Sequence, residues 1–344
     1  MKSGMDVAHL TGSASFMLRP VAPFRLDFTV WALRRRGRNL IDRWDGTTYR
    51  RVVMMAGRPT ELAVRQVGSR EAPRLIVNTA PALRTPSERR HLTSVVDRLL
   101  GLRIDLRDWY RIAASDTRLG PLARSYRGMK PPRFPTLFEA VVNGFACQQL
   151  SLEVGLELLN RLAAISSASV GVMPDESFAF PTAHDLTRLT PEQLRAIGFS
   201  RQKARAILEL AAATAEGTLK LELLAGKNEA TVRRDLLQLR GVGRWTAEYV
   251  LLRGVGSLNT FPGDDVGAQK RLARWLGRSR PLDYAGVGRV VKRWQPYAGM
   301  VYFHLLLDGL SRAGALDSRP ADHSSTCDDR EVRDVRRPSR RQPA

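Results

Sequence analysis

Residues 236–265, LLQLRGVGRWTAEYVLLRGVGSLNTFPGDD, restrict this chain more than any other stretch. Their apolar spacing predicts a helix that ends in the turn Gly241-Val242-Gly243, with a second helix starting at about Arg244. So short a connection requires residues that tolerate positive φ and close backbone approach, which glycine does. The first amides of the second helix then lack intrahelical acceptors and can face an anion, such as a phosphate oxygen. Val242 is expected to point inward and fix the turn. A Gly/Pro loop follows and delivers two adjacent carboxylates, Asp264 and Asp265. A GxG turn alone is equally compatible with an ordinary αα-hairpin, so the rest of the chain has to decide.

Charge is the next constraint. The 344 residues carry 55 Lys+Arg against 34 Asp+Glu, a formal +21. That excess points to a polyanionic partner, although RNA and membrane surfaces share the property. The C-terminal tail, 316–344, holds seven Arg against six acids and few apolar residues. It is expected to be disordered, and the basic excess belongs to the folded part. Two cysteines, Cys147 and Cys327, are too few for a disulfide framework, a four-Cys zinc site or a cysteine-ligated cluster. No apolar run reaches the about 18 residues of a membrane span, and the N-terminus lacks the apolar core of a signal peptide. A reducing, cytoplasmic setting without membrane attachment is expected.

In order, residues 1–18 read as a mobile Gly/Ser leader. Residues 19–84 read as an N-terminal antiparallel α/β domain. The alternation of Phe24, Leu26, Phe28 and Val30 predicts a half-buried strand, and further strands are predicted at 49–55, 61–67 and 74–78. Turn signals at Asp45-Gly46, Gly57-Arg58-Pro59 and Gly68-Ser69 separate them. Helical spacing begins after Pro86, and the helices of 85–129 are expected to pack with the C-terminal lobe. The segment Lys130-Pro131-Pro132-Arg133-Phe134-Pro135 marks a junction. Residues 130–262 read as a central helical domain holding the hairpin (231–254), interrupted by a Ser/Gly-rich loop at 166–177; residues 263–315 read as a C-terminal helical lobe. The fold class is α+β, an N-terminal antiparallel sheet domain followed by two helical lobes with a cleft between them.

LRGVGRWTAEYVLLRG followed by FPGDD closely resembles the helix-hairpin-helix and Gly/Pro–aspartate signature of the base-excision DNA glycosylases, and within them the DNA-3-methyladenine glycosylase II family. FEAVVNGFACQQLS and FPTAHDLTRLTPEQLRAIGFSRQKARAILELA are similar to further regions of that family, so the resemblance runs from about residue 20 to 313. It implies a monofunctional glycosylase that flips an alkylated purine of the 3-methyladenine or 7-methylguanine type out of double-stranded DNA and hydrolyses its N-glycosidic bond. Oxidised or deaminated bases, or a DNA-binding module without catalysis, remain alternatives. Asp265 takes the catalytic position and Asp264 is expected to cap the next helix. The carboxylate would stabilise oxocarbenium character on the sugar and help position water.

The resemblance also places residues around that carboxylate. Strand-cutting relatives carry lysine where this chain has Trp245, so Schiff-base chemistry is not expected from that position. Trp245 and Tyr249, four apart on one helix face, would line the base pocket, where cation–π attraction of roughly 0.5–2 kcal/mol favours cationic bases. Leu306 stands where an aromatic is expected, and Tyr302 or Phe303 would compensate. Leu150, with Gln149 beside it, matches an intercalating wedge. Gly241, Val242, Gly243, Arg244, Arg201, Lys203 and Lys270 are candidate phosphate contacts, expected to act jointly as a steep salt dependence. No cofactor or metal is expected, apart from a possible monovalent cation at the hairpin when DNA is bound, and a monomer suffices for one flipped base. The five histidines, His9, His91, His184, His304 and His323, have no metal-ligand spacing. His304, in an apolar helix, is expected to be a hydrogen-bonded core residue.

Overall fold

The computed structural model describes residues 13–167 and 177–316. The expected leader up to residue 12, residues 168–176 of the Ser/Gly-rich loop, and the tail from 317, with Cys327, His9 and His323, lie outside the described residues.

Five antiparallel strands form one sheet in the order β1-β5-β4-β3-β2. They are β1 (Ala14–Leu18), β2 (Arg43–Trp44), β3 (Thr48–Met55), β4 (Arg58–Val67) and β5 (Arg74–Ala80). Residues Ala56 and Gly57, at φ 48° and 76°, turn β3 into β4; two left-handed residues match the twist of paired strands. β1 corrects the expected leader. Its five residues pair with β5 from Ala14↔Thr79 to Leu18↔Leu75 and bury Phe16. Ser13 and Ser15 before Phe16, and Met17 after it, conceal the alternation in the sequence.

A second correction concerns the expected strand at 24–30. It is a helix, α1 (Leu26–Arg34), whose buried side chains include Leu26, Thr29, Val30 and Leu33. Leu26 and Val30 satisfy both a two-residue and a four-residue period, and tertiary packing on both sides of the segment selects the helix. Gln66 ties its start to the sheet, accepting from the Leu26 amide at 2.8 Å.

Among the described residues thirteen further α-helices follow: α2 (Pro86–Leu100), α3 (Arg107–Ser115), α4 (Leu119–Ser125), α5 (Leu137–Cys147), α6 (Leu152–Ser167), α7 (Ala183–Leu186), α8 (Pro191–Ala196), α9 (Arg201–Ala215), α10 (Glu229–Leu237), α11 (Arg244–Val250), α12 (Val266–Trp275), α13 (Tyr284–Val291) and α14 (Ala298–Arg312). Six of them start where the sequence signals a cap: Thr85, Thr136, Thr182, Thr190, Ser200 and Asn228 each accept an amide of the following turn.

Their apolar faces build two cores. One joins the sheet to α2, α5, α6 and α9–α11. The other gathers α3, α4 and α12–α14. The expectation that all helices of 85–129 pack with the C-terminal lobe therefore holds for α3 and α4 but not for α2, whose Leu92, Val96 and Leu99 lie in the first core. α1 is shared, with Leu26, Val30 and Leu33 in the first core and Ala32 in the second. A buried ion cluster clamps the sheet onto α5, because Arg51 bonds Asp42 at 2.7 Å and Glu139 at 2.6 Å. Among the described residues no helix is long and apolar enough to cross a membrane.

Candidate active site

The hairpin depends on its two glycines for different reasons. Gly241 has φ +79°, and a Cβ there would lie 3.2 Å from Ala206 and 3.3 Å from the Phe145 ring. Both the dihedral and the space demand glycine. Gly243, the N-cap of α11, has an extended backbone, and a Cβ would meet nothing within 4 Å. It leaves the first turn of α11 without a side-chain cap and with an open face. Val242 is buried between them. Gln148, just past α5, donates to the Gly241 carbonyl at 2.8 Å and to Thr246 Oγ1 at 2.6 Å.

The loop after the hairpin is held by a residue the sequence did not single out. Glu248, buried on α11, accepts from the Gly263 amide at 3.0 Å, the Tyr284 hydroxyl at 2.7 Å and Arg233 at 3.0 Å. Gln269 donates to the Gly263 carbonyl at 2.8 Å. The two aspartates then separate. Asp265, not Asp264, is the N-cap of α12: its Oδ1 accepts the Ala268 amide at 2.7 Å, and its Oδ2 accepts the Tyr302 hydroxyl at 2.9 Å. Asp264 instead grips Arg244 at 2.5 and 3.0 Å, and that guanidinium lies 3.8 Å over the Tyr284 ring. The capping role expected of Asp264 is thus corrected, because the loop turns the second carboxylate toward the amides of α12. Arg244 is already engaged by a carboxylate and a ring, yet remains about half exposed.

Aromatic side chains cluster on α11 and α14. Trp245 and Tyr249 stack on each other at 5.3 Å and 26°. Asp265 and Tyr249 lie within electrostatic range, the carboxylate helping burial to push the Tyr249 phenol up. Tyr302 packs edge-on against Phe261 and Phe303. Burial, reinforced by the Asp265 charge, drives its phenol well above the usual value and keeps it a donor. Phe303 is fully buried behind Tyr302, and Leu306 is a residue of the second core. Two arginines unforeseen from the sequence adjoin Tyr249. Arg35, the left-handed C-cap of α1, donates to the Tyr249 hydroxyl at 2.6 Å and to Asn143 at 2.8 Å. Arg253 donates to the carbonyls of Ala32 and Leu33 at 2.9 and 3.0 Å. Their only sequence signal is position: Arg35 lies amid three arginines after an apolar helix, and Arg253 follows Leu251-Leu252.

Residues 142–297 match the model of the HhH-GPD superfamily base excision DNA repair protein. A DNA-3-methyladenine glycosylase of Bacillus subtilis is 29% identical over 132 residues, 38% of this chain and 44% of the relative. DNA-3-methyladenine glycosylase 2 of Escherichia coli is 31% identical over 103 residues, 30% of this chain and 36% of the relative. The chain thus spans less than half the length of these curated relatives. A 3-methyladenine DNA-glycosylase from Archaeoglobus fulgidus superposes with a TM-score of 0.74 at 23% identity, covering 88% of this chain and all of that one. The chain shares the fold of that glycosylase, and the HhH-GPD match lies within it.

In this HhH-GPD frame the remaining candidates fall into two groups. Gln149, just past α5, has φ 55°, and Leu150 and Val154 are 44% and 46% exposed. Lys203 is not a free surface cation. Its Nζ donates to the Gln148 carbonyl at 2.6 Å, at the end of α5, where a cation suits the helix dipole. Arg201 and Lys270 are exposed. Among the described residues no group of three His, Cys, Asp or Glu side chains could hold a metal ion. His304 is a core residue. It bonds the Met300 carbonyl at 2.8 Å, and burial pushes its imidazole down to about 4.

Proposed function

We propose that this HhH-GPD protein is a monofunctional DNA glycosylase of base-excision repair, hydrolysing the N-glycosidic bond of alkylated purines in double-stranded DNA. It would act as a monomer in the cytoplasm and need no cofactor. The observation that carries the reading is the Asp265 carboxylate, fixed by the first turn of α12 and by Tyr302, beside the Trp245–Tyr249 stack. The 3-methyladenine glycosylases that it resembles in sequence support the substrate class.

Each Asp265 oxygen accepts one hydrogen bond and keeps a lone pair free. The two donors fix the orientation of the carboxylate. Its main task in this reading is electrostatic: it stabilises the sugar as positive charge develops, and steers water to it. The hairpin would take a phosphate at Gly243 and the start of α11, while Leu150 fills the gap left by the flipped nucleotide. Trp245 supplies no amine, so the product would be an intact abasic site and borohydride would trap no covalent complex.

Asp265→Asn tests the reading, because asparagine retains helix capping and removes the charge. The expected result is unchanged binding to an abasic-analogue duplex, with excision of 3-methyladenine slowed at least about 100-fold. Excision at the wild-type rate would refute the role of Asp265.

A further inference from the structure

A surface of unpaired cations lies beyond the candidate active site. Residues 266–295, which carry α12 and α13, hold eight Lys or Arg against one acid, Asp283, a surplus of seven out of the chain's 21. Asp283 is already engaged by the Gly286 amide, at 2.7 Å, as the N-cap of α13. Lys270, Arg274 and Arg278 follow one another at intervals of four, and so do Arg289 and Arg293, a spacing at which like charges repel. Elsewhere on the surface an arginine meets a carboxylate one turn away, as Arg161 does Glu157 at 2.9 Å and Arg312 does Asp308 at 2.8 Å. Arg278 and Arg289 are exposed, and their side chains make no ion pair or hydrogen bond among the described residues. Arg293 lies 3.9 Å from Asp116 and 4.5 Å over the Trp294 ring. These three arginines, with half-buried Leu276, Leu282 and Val290, line a groove of about 350 Å³ between the end of α12 and α13.

We propose that this groove is a second DNA-binding site, which grips backbone phosphates of the duplex flanking the flipped nucleotide. The inference rests on the glycosylase reading above and extends its DNA contact beyond the hairpin. Two helices connect the groove to the site. α12 is capped by Asp265, and its ten residues carry the chain about 15 Å, the length of about four base pairs. α13 starts at Tyr284, whose ring lies 3.8 Å from the Arg244 guanidinium of the hairpin and whose hydroxyl reaches Glu248 at 2.7 Å. The cations thus continue outward from the helix start that would hold a phosphate. An acidic peptide would need only the groove. Here the cations run past it to Lys270 and Arg274, both exposed, and a regularly spaced polyanion matches that length. Guanidiniums also suit phosphate, because each presents a planar pair of donors to two oxygens. Such contacts raise affinity for any duplex and leave the choice of lesion to the pocket.

The double variant Arg278→Gln/Arg289→Gln tests this, since it removes two charges and breaks no internal hydrogen bond or ion pair. Binding is read on an abasic-analogue duplex extending about ten base pairs to each side, over a range of salt concentrations. The slope of log affinity against log salt should be shallower than that of wild type by about 2, and affinity at low salt lower by at least about tenfold. Arg278→Lys/Arg289→Lys should restore both. A second duplex, with neutral methylphosphonates about three to six steps from the analogue, locates the contact. Wild type should bind it at least about tenfold more weakly than the native duplex, and the Gln variant should lose much less. Equal slopes, or equal losses on the neutral backbone in both proteins, would overturn the proposal. So would a Gln variant that keeps the wild-type slope but no longer binds polyglutamate, which would give the groove to an acidic protein partner. Wild type that binds the duplex but excises no base would refute the glycosylase reading alone, because each of these measurements is of binding.

Discussion

The hydroxyl of Tyr302 donates to Oδ2 of Asp265 at 2.9 Å across 37 residues of sequence. The Ala268 amide holds the other oxygen, so the carboxylate is restrained from both sides. Without its phenol it would be anchored at one oxygen only and free to turn about that bond.

Tyr302→Phe removes the second restraint and leaves the ring packed on Phe261. Excision should slow by roughly tenfold, and the melting temperature should fall by no more than a few degrees, since one hydrogen bond to a charged group contributes about 1.5–3 kcal/mol. A variant with wild-type single-turnover rates would show that Tyr302 only fills space.

The hairpin glycines should respond differently to the same substitution. Gly241→Ala meets both a left-handed φ and contacts at 3.2–3.3 Å, and should cost roughly 1–3 kcal/mol in stability. Gly243→Ala has room and an ordinary φ, so its urea midpoint should stay close to wild type while DNA affinity falls. Comparing unfolding and duplex binding for the two variants separates their roles.

Leu150→Ala should leave the melting temperature within about 2 °C, because the side chain is 44% exposed and its removal opens no core cavity. Affinity for an abasic-analogue duplex should drop several-fold. An unfolded variant would contradict the wedge assignment.

His304 gives the acid response a defined component. Its folded value of about 4 lies below the ordinary 6.5, so the unfolded chain binds more protons between those two values. Stability from neutral His304 is therefore present above pH 6.5 and is lost as pH falls toward 4. Between pH 7 and 5 this amounts to about 2 kcal/mol. Urea unfolding of His304→Gln should show a correspondingly smaller loss over that interval.

How much of this could be read in the sequence depended on distance along the chain. The hairpin, its glycines and the position of Asp265 fall within one stretch, and local turn chemistry reveals them. The sheet was visible as strands at 49–55, 61–67 and 74–78, but its edge β1 was hidden among serines. α1 reads as a strand as readily as a helix, because Leu26 and Val30 fit both periods. Tyr302 could be named as a candidate, but not its bond to Asp265. Arg35 reaches Tyr249 across 214 residues, and no local pattern separates it from the two arginines beside it. The stack of Trp245 on Tyr249 follows from helical spacing, whereas the cations behind it come from the end of α1 and from the turn after α11.

Glu248 projects from the hairpin's second helix, yet holds the backbone of Gly263, two residues before Asp265. One buried side chain thus links the hairpin, proposed to grip a phosphate, to the carboxylate. In the proposed reaction their separation works as a ruler: the nucleotide brought to Asp265 is the one at a set offset from the gripped phosphate. Scanning a duplex then means shifting the register of the whole ruler, and a loop lengthened by one residue would address the wrong nucleotide while binding DNA as tightly as before.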